Sequence, residues 1–249
     1  MLLWFSSVMV TALLVSCASS PAMKESAPET VSLPQYVEPF NGSDLTGWQE
    51  PRGKWAVATL VETNSQNSGN DAPSSMFAAL VNGAEGRTSN LLSDMEHGDI
   101  ELSLEFMVPE GSNSGVYLQG RYEVQILDSW QKYQPTFADC GGIYQRHLNG
   151  QGFEGTSPRV NASLPPGEWQ RFDIQFRAPR FDAEGNKVEN ARFVKVNHNG
   201  VVIHENVEVT GPTRSASYED EKPWGPLMLQ GDHGPIAFRN LLGRHAIFP

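Results

Sequence analysis

Apolar and polar residues alternate along much of the chain after Phe40. In "DIELSLEFMVP" every second residue from Ile100 to Phe106 is apolar, as in a strand with one buried face. The same alternation returns in "WQRFDIQFRAPRF" and "GPLMLQGDHGPIAFRNLLGR", and "ARFVKVNHNGVVIHENVEV" predicts two strands joined at Asn199-Gly200. Short helical turns are expected only near residues 45–47 and 130–137. Many short strands with regular turns predict an all-β sandwich or jelly roll.

The stretch "RYEVQILDS", residues 121–129, combines this alternation with a polar row. Arg121, Glu123 and Gln125 share one side of the predicted strand, and the residues between them are apolar. The pattern leaves two interpretations open. The polar row is either a solvated sheet surface or a set of groups directed at a ligand.

Residues 1–17 are an apolar segment that is too short to span a bilayer, which indicates an export signal. Its end, "LVSC", resembles the lipobox of bacterial lipoproteins and implies that Cys17 carries lipid, although no Lys or Arg precedes the apolar run. Cleavage of an ordinary signal peptide near residues 18–20 is the alternative. The lipoprotein reading predicts a lipid-anchored protein of the bacterial cell envelope, periplasmic or on the outer-membrane surface.

The Ala-, Ser-, Pro- and Glu-rich residues 18–35 are expected to be a flexible tether, and residues 36–249 the folded domain. A polar stretch at 62–75 predicts a surface loop. Hydrophobic residues make up 39% of the chain, enough for a sizeable core, and the net charge of −11 without basic runs makes nucleic acid an unlikely partner. Cys140, the second of two cysteines, is expected to be a small buried residue rather than a nucleophile.

Several longer motifs occur in order along the chain: "FNGSDLTGW", "GDIELSLEFMVPEGSNSGVYLQGRYEVQILDS", "CGGIYQ", "NASLPPGEWQRFDIQFRAPRFD", "HNGVVIHENVEVTGPT" and "GPLMLQGDHGPIAFRN". Together they resemble the 3-keto-disaccharide hydrolase domain family over residues 38–248. The resemblance implies a concanavalin-A-like jelly roll of two antiparallel sheets. It also implies action on a carbohydrate substrate, a glycoside whose sugar has been oxidised to a ketone at carbon 3.

Glycosidases on such a sandwich usually carry two carboxylates on one strand, one to attack and one to donate a proton. Here the row offers Glu123 and then Gln125, whose amide can do neither. Cleavage of a 3-keto sugar does not require the second carboxylate, because the ketone makes the carbon-2 proton acidic. One base, a stabiliser of the enolate oxygen and a proton donor suffice for elimination of the carbon-1 group, and water can then add.

Glu123 is the first candidate for the base, Gln125 for a neutral hydrogen-bond donor and His233 for proton transfer. The sequence does not decide whether Glu123 or His233 is the base. Arg121 is expected to polarise the ketone oxygen. Four further residues are expected to contact the sugar: Asn113, Tyr144, Gln230 and Trp130. The alternatives are a solvated strand for Glu123, ordinary turns for His233 and Asn113, and core packing for the aromatic residues.

The remaining histidines are expected to be unimportant for chemistry, with His97 and His147 in surface loops and His198 and His204 peripheral. No zinc-type spacing of ligands occurs, and a divalent cation such as calcium stays open. No dinucleotide-binding fingerprint occurs either, so a separate sugar 3-dehydrogenase is the expected functional partner. Two other functions stay open, a non-catalytic lectin-like module and a conventional glycoside hydrolase.

Overall fold

Alternating apolar side chains favour strands here because one face of each strand can be buried against a second layer. The computed structural model describes residues 36–62 and 75–249, and within them it contains sixteen strands and no helix. At the two places where short helical turns are expected, the chain forms single hydrogen-bonded turns instead of helices: the Trp48 N–H donates to the Leu45 carbonyl at 3.2 Å, and the Lys132 N–H donates to the Ser129 carbonyl at 3.1 Å. The predicted signal segment, Cys17, the tether and residues 63–74 of the polar loop lie outside the described residues.

The strands are β1 (Tyr36–Val37), β2 (Ala56–Glu62), β3 (Ser75–Val81), β4 (Leu91–His97), β5 (Ile100–Met107), β6 (Asn113–Leu118), β7 (Tyr122–Leu127), β8 (Arg146–Leu148), β9 (Gln151–Phe153), β10 (Trp169–Arg177), β11 (Arg180–Phe181), β12 (Lys187–Glu189), β13 (Ala191–His198), β14 (Val201–Val209), β15 (Gly225–Leu229) and β16 (Ala237–His245). Among the described residues, no helix is long and apolar enough to cross a membrane.

Two antiparallel sheets form the body of the described residues 36–62 and 75–249. The large sheet has eight strands in the order β14-β13-β10-β5-β16-β3-β2, with β1 paired to β16. The small sheet has four strands in the order β4-β15-β6-β7. Two hairpins, β8–β9 and β11–β12, lie outside these sheets. The predicted sandwich of two antiparallel sheets is confirmed.

The core lies between the two sheets. Strand β5 alternates strictly between buried and partly buried positions, as its sequence predicts. Tyr122 of β7 packs on Phe176 of β10 with ring centroids 5.3 Å apart, which joins the small sheet to the large one. The outward face of β7, which carries Glu123 and Gln125, is therefore the face opposite the core.

The predicted hairpin at Asn199-Gly200 joins β13 to β14, and both residues have positive φ, 51° and 80°. This conformation is the one that Asn-Gly favours in two-residue hairpin turns. Cys140 is buried and free, and burial raises the pKa of its thiol to about 12, which confirms it as a buried residue.

Three histidines are buried, contrary to the expectation from the sequence. His97 is fully buried instead of lying in a surface loop, and its Nε2 accepts the N–H of Gln119 at 2.9 Å. His198 and His204 are also buried rather than peripheral. Burial lowers the pKa of each of these three imidazoles to about 4, so they are neutral structural groups at physiological pH.

Candidate active site

The pairing of β6 with β7 sets the geometry of a small cavity on the outer face of the small sheet. Tyr117 lies opposite Glu123, and Gly115 lies opposite Gln125. Because alternate residues of a strand share a face, all four are directed away from the core. Gln230, just after β15, continues the row, since its N–H donates to the Gly115 carbonyl at 2.9 Å.

The cavity has a volume of about 170 Å³. Its lining is almost wholly polar and comes from both strands of the hairpin and from three loops: Asn113, Tyr117, Glu123, Gln125, Tyr144, Arg214, Ser215, Gln230 and His233. Six of these nine were predicted as site residues from the sequence, and the structure brings those six together. Glu123 is the one carboxylate in this lining.

Gly115 provides the space that the Glu123 carboxylate occupies. A Cβ built at this position would lie 2.3 Å from Glu123 Oε1 and 3.1 Å from the Tyr117 ring. A glycine in the middle of a strand weakens it and commonly marks a close approach. Here the missing side chain is what lets a carboxylate lie flat on the sheet.

The outer edge of β7 is fixed by two loops. Thr213 Oγ1 accepts the Glu123 N–H at 3.1 Å and donates to the Arg121 carbonyl at 3.0 Å. On the same strand, the Glu123 carbonyl accepts the N–H of Tyr144 at 3.2 Å, and Gln125 exchanges backbone hydrogen bonds with Gly141 and Gly142. The backbone beneath the carboxylate therefore has little freedom to shift.

Glu123 is 2% exposed, and no side chain of a described residue forms an ion pair with it. Burial raises the pKa of its carboxyl to about 8, the negative charge of Asp232 adds to the increase, and a hydrogen bond from Tyr117 opposes it. A carboxylate with a raised pKa is a stronger base than one in water. The interpretation of Glu123 as a solvated strand residue is wrong.

The amides that line the cavity have unused hydrogen-bonding capacity. Within the described part of the chain, Asn113 Oδ1 and Gln230 Oε1 are buried without a partner. Gln125 Oε1 accepts the Ile126 N–H at 3.0 Å, which leaves its NH₂ group for the cavity. Buried polar groups normally find partners, so these amides indicate a ligand rich in donors and acceptors.

His233 is half-exposed on the cavity wall, with its Nδ1 2.5 Å from Asp232 Oδ1. A carboxylate that contacts one ring nitrogen orients the imidazole and leaves the other ring nitrogen to exchange a proton with a ligand. The Asp232 charge also acts on Glu123. Asp232 thus contacts His233 and acts on the charge of Glu123.

Arg121 and Trp130 do not line the cavity. Arg121 is buried, donates to the Asp220 carboxylate at 2.7 Å and to the Gln119 carbonyl at 2.9 Å, and stacks over Tyr218 at 4.6 Å. Because these contacts occupy the guanidinium within the protein, they disfavour the prediction that Arg121 polarises the ketone oxygen. Trp130 is 44% exposed and lies outside the lining.

Sequence reasoning missed Tyr117, Arg214 and Ser215. The alternation in "NSGVYLQG" places Tyr117 on the same face as Asn113, which is a usable signal. Arg214 and Ser215 come from a loop almost a hundred residues away in the chain, and nothing local marks them. Ser215 has a positive φ of 64°, an uncommon conformation for a residue with a side chain.

A larger depression, of about 410 Å³, lies on the outer face of the large sheet. Its acidic side chains have partners, since Glu101 accepts from Arg244 at 2.9 Å and Asp173 from Arg171 at 2.7 Å. Paired carboxylates are poor bases, so the smaller cavity around Glu123 is the better candidate. Within the described residues, no group of three or more His, Cys, Asp or Glu side chains is arranged to hold a metal ion.

Comparisons with known proteins bear on the family and the fold. A profile of the 3-keto-alpha-glucoside-1,2-lyase-like domain matches residues 35–242. A solved structure from Parabacteroides distasonis ATCC 8503, described as a candidate glycosyl hydrolase, is similar with a TM-score of 0.59 and 25% identity over 85% of this chain and 84% of that chain. No curated protein matches the sequence.

Two more candidate glycosyl hydrolases from the same organism show the same fold. One has a TM-score of 0.55 and 19% identity over 85% of this chain and all of that chain. The other has a TM-score of 0.54 and 13% identity over 85% of this chain and 94% of that chain. The predicted fold class, a concanavalin-A-like jelly roll, is confirmed.

Proposed function

Because the chain belongs to the family of 3-keto-alpha-glucoside-1,2-lyase-like domains, we propose that it cleaves glycosides whose sugar carries a ketone at carbon 3. The observation that supports this most is the lone, buried Glu123 carboxylate in a cavity lined by unpaired amides. The coarser conclusion, a carbohydrate-active enzyme of glycoside hydrolase or lyase type, has the support of both the family and the similar structures.

In the proposed reaction, ionised Glu123 removes the proton from carbon 2 of the keto sugar. The electron pair of the broken C–H bond forms an enolate whose negative charge lies on the carbon-3 oxygen. The enolate then expels the group on carbon 1, so that the C1–O bond breaks and a double bond forms between carbons 1 and 2. Raising the pKa of Glu123 to about 8 brings its basicity close to the operating pH, where general bases work best.

The leaving oxygen needs a proton, and His233 at the cavity wall is the proposed donor. Addition of water to carbon 1 and return of a proton to carbon 2 then complete a net hydrolysis, whereas release of the unsaturated ketone makes the reaction a lyase reaction. The unpaired oxygens of Asn113 and Gln230 accept hydrogen bonds from sugar hydroxyls, and the Gln125 amide donates to a sugar oxygen.

Two rival functions give different outcomes. A conventional retaining glycosidase needs a second carboxylate about 5–5.5 Å from the first, and the cavity lining offers Glu123 alone. A lectin-like module would use the same amides to bind an unoxidised sugar without chemistry. A lectin-like module also has no need for a carboxyl whose pKa is raised, as it is at Glu123.

The test compares 3-keto-glucosides and 3-keto-disaccharides with their unoxidised parents in deuterated water. We expect turnover of the keto sugars alone, with deuterium entering carbon 2. Glu123→Gln should abolish both turnover and exchange, and Glu184→Gln, a fully solvated matched variant, should change neither. Cleavage of the parent sugars would establish a conventional glycosidase, and tight binding without product would establish a lectin-like module.

The cellular setting is a proposal that rests on the sequence. Export and lipid attachment at Cys17 would place the domain in the bacterial cell envelope, and the ketone of the substrate requires a separate sugar 3-dehydrogenase. Replacement of Cys17 by serine should abolish incorporation of a labelled fatty acid and release the protein from membranes. Unchanged labelling would contradict the lipobox assignment.

A further inference from the structure

Arg214 lines the same cavity, and its backbone is fixed on two sides. Its N–H donates to the Gln145 carbonyl at 2.9 Å, and its carbonyl accepts the Tyr117 hydroxyl at 3.2 Å. Its side chain is exposed at the cavity, beside the loop residue Ser215. The backbone of Arg214 is thereby tied to the hydroxyl that contacts the base, and the guanidinium stays available.

The Arg214 guanidinium differs from the other arginines of the described residues. Each of the others donates a side-chain hydrogen bond to a carbonyl or pairs with a carboxylate. The Arg214 side chain makes neither contact within this part of the chain. In a protein with a net charge of −11, an arginine without a carboxylate partner is unexpected.

We propose that the guanidinium of Arg214 binds the carbon-3 oxygen of the keto sugar and stabilises the negative charge that this oxygen gains when the carbon-2 proton leaves. This inference rests on the proposed function and assigns to Arg214 the role that the sequence suggested for Arg121. No bond to Arg214 forms or breaks in this step. The proton goes to Glu123, the electron pair of the C–H bond enters the enolate, and Arg214 contributes fixed charge and N–H donors.

Arg214 and Glu123 line the same cavity, and within the described residues they form no ion pair with each other. The pKa of Glu123 is set by its burial, by Asp232 and by the Tyr117 hydrogen bond, and Arg214 is not among these causes. A guanidinium that paired with Glu123 would weaken the base and would be neutralised itself. Separation leaves each group free for a different atom of the substrate, the carbon-2 proton and the carbon-3 oxygen.

The experiment uses the full-length protein and a 3-keto-glucoside in deuterated water. We expect Arg214→Gln to lower the rate of carbon-2 exchange and kcat by about 10²- to 10³-fold, the loss seen when one oxyanion donor is removed. Arg214→Lys should recover part of the rate, and added guanidinium ion should partly rescue Arg214→Gln. Arg159→Gln removes an exposed arginine charge outside the cavity lining and should leave the rate unchanged.

Three results overturn the proposal. Wild-type exchange rates in Arg214→Gln would show that another group holds the oxygen. A rise in KM with unchanged kcat would show that Arg214 binds substrate without stabilising the enolate. A wild-type protein that neither turns over keto sugars nor exchanges the carbon-2 proton would remove the proposed function and this inference with it. Thermal unfolding of each variant checks the fold, which the retained backbone contacts of Arg214 should preserve.

Discussion

Tyr117 and Glu123 face each other across β6 and β7. The buried Tyr117 hydroxyl donates to the Arg214 carbonyl at 3.2 Å, and its interaction with the Glu123 carboxyl lowers the pKa of that carboxyl. Burial and the nearby carboxyl raise the pKa of Tyr117 well above 10, so the hydroxyl keeps its proton. It therefore acts on the Glu123 carboxyl as a neutral hydroxyl. The pair connects the base to the loop that carries Arg214.

Tyr117→Phe should move the pH dependence of the reaction upward. The hydroxyl stabilises the ionised carboxylate, so its removal raises the pKa of Glu123 above the value of about 8. The rise of kcat/KM with pH should shift to higher pH, and activity at pH 7 should fall by roughly three- to tenfold, as expected for about 1 kcal/mol from one hydrogen bond. A pH–rate profile from pH 5.5 to 10 measures this. An unchanged midpoint would contradict a contact between Tyr117 and the base.

Glu123→Gln should stabilise the protein while it abolishes activity. The carboxyl has a pKa of about 8 when folded and 4.5 as a model group, so the folded state binds more protons than the unfolded state between these values. Stability contributed by this group is complete below pH 4.5 and is lost as the pH rises towards 8. At pH 8 the variant should be more stable by up to about 4 kcal/mol.

Urea unfolding at pH 4.5, 6 and 8 measures this difference. The stability gain of Glu123→Gln should shrink towards zero at pH 4.5, and Glu184→Gln, at an exposed position, is the control variant. A variant that is equally or less stable than the wild type at pH 8 would show that Glu123 is ionised and well compensated in the folded protein.

Gly115→Ala should inactivate the protein without unfolding it. The new methyl group would lie 2.3 Å from Glu123 Oε1, so the carboxylate must move off the sheet surface. We expect kcat to fall on the order of 10²-fold, the loss that follows a displacement of about 1 Å at a reacting group. Gly243→Ala, with its nearest neighbour at 3.3 Å on the large sheet, is the matched control. Near-wild-type activity of Gly115→Ala would mean that the carboxylate position is unimportant.

The strands could be predicted because their signals are local. Alternation in β5 and the Asn199-Gly200 turn each depend on a few neighbouring residues, and both are confirmed. The place of the Glu123 carboxylate on the outer face of the strand could also be predicted, because Glu123 shares a row with Gln125. Its burial could not be predicted, since the loops that cover this row come from residues 141–144 and 213–215.

The register of the central hairpin shows where local reasoning stops. The turn of this hairpin consists of residues 119–121, in which Gln119 and Gly120 have positive φ, and Leu118 pairs with Tyr122. A shift of one residue in the pairing would place Tyr117 opposite an inward-facing neighbour. Which arginine is available to the substrate, Arg121 or Arg214, also depends on Asp220, which pairs with Arg121. This contact spans ninety-nine positions of the chain, and no local pattern reveals it.

The buried histidines should make the fold sensitive to acid. His198 lies between Phe106 and Phe172, at ring distances of 5.8 and 4.8 Å, and its Nε2 contacts Gln170 Oε1 at 2.9 Å. Burial lowers its pKa from 6.5 to about 4. The unfolded state therefore binds more protons between these values, so the stability from neutral His198 is complete above pH 6.5 and is lost as the pH falls towards 4.

His198→Phe keeps an aromatic ring in this position and removes the titrating group. Gln170 Oε1 still accepts the Leu164 N–H at 3.0 Å, so the substitution leaves it with a partner. Between pH 6.5 and 4 the wild type should lose about 3 kcal/mol more unfolding free energy than the variant. Both proteins contain Glu123, so its opposite pH dependence cancels in the comparison. His147→Gln, at an exposed position, should follow the wild type, and parallel curves for His198→Phe would show that His198 becomes protonated in the folded protein without cost.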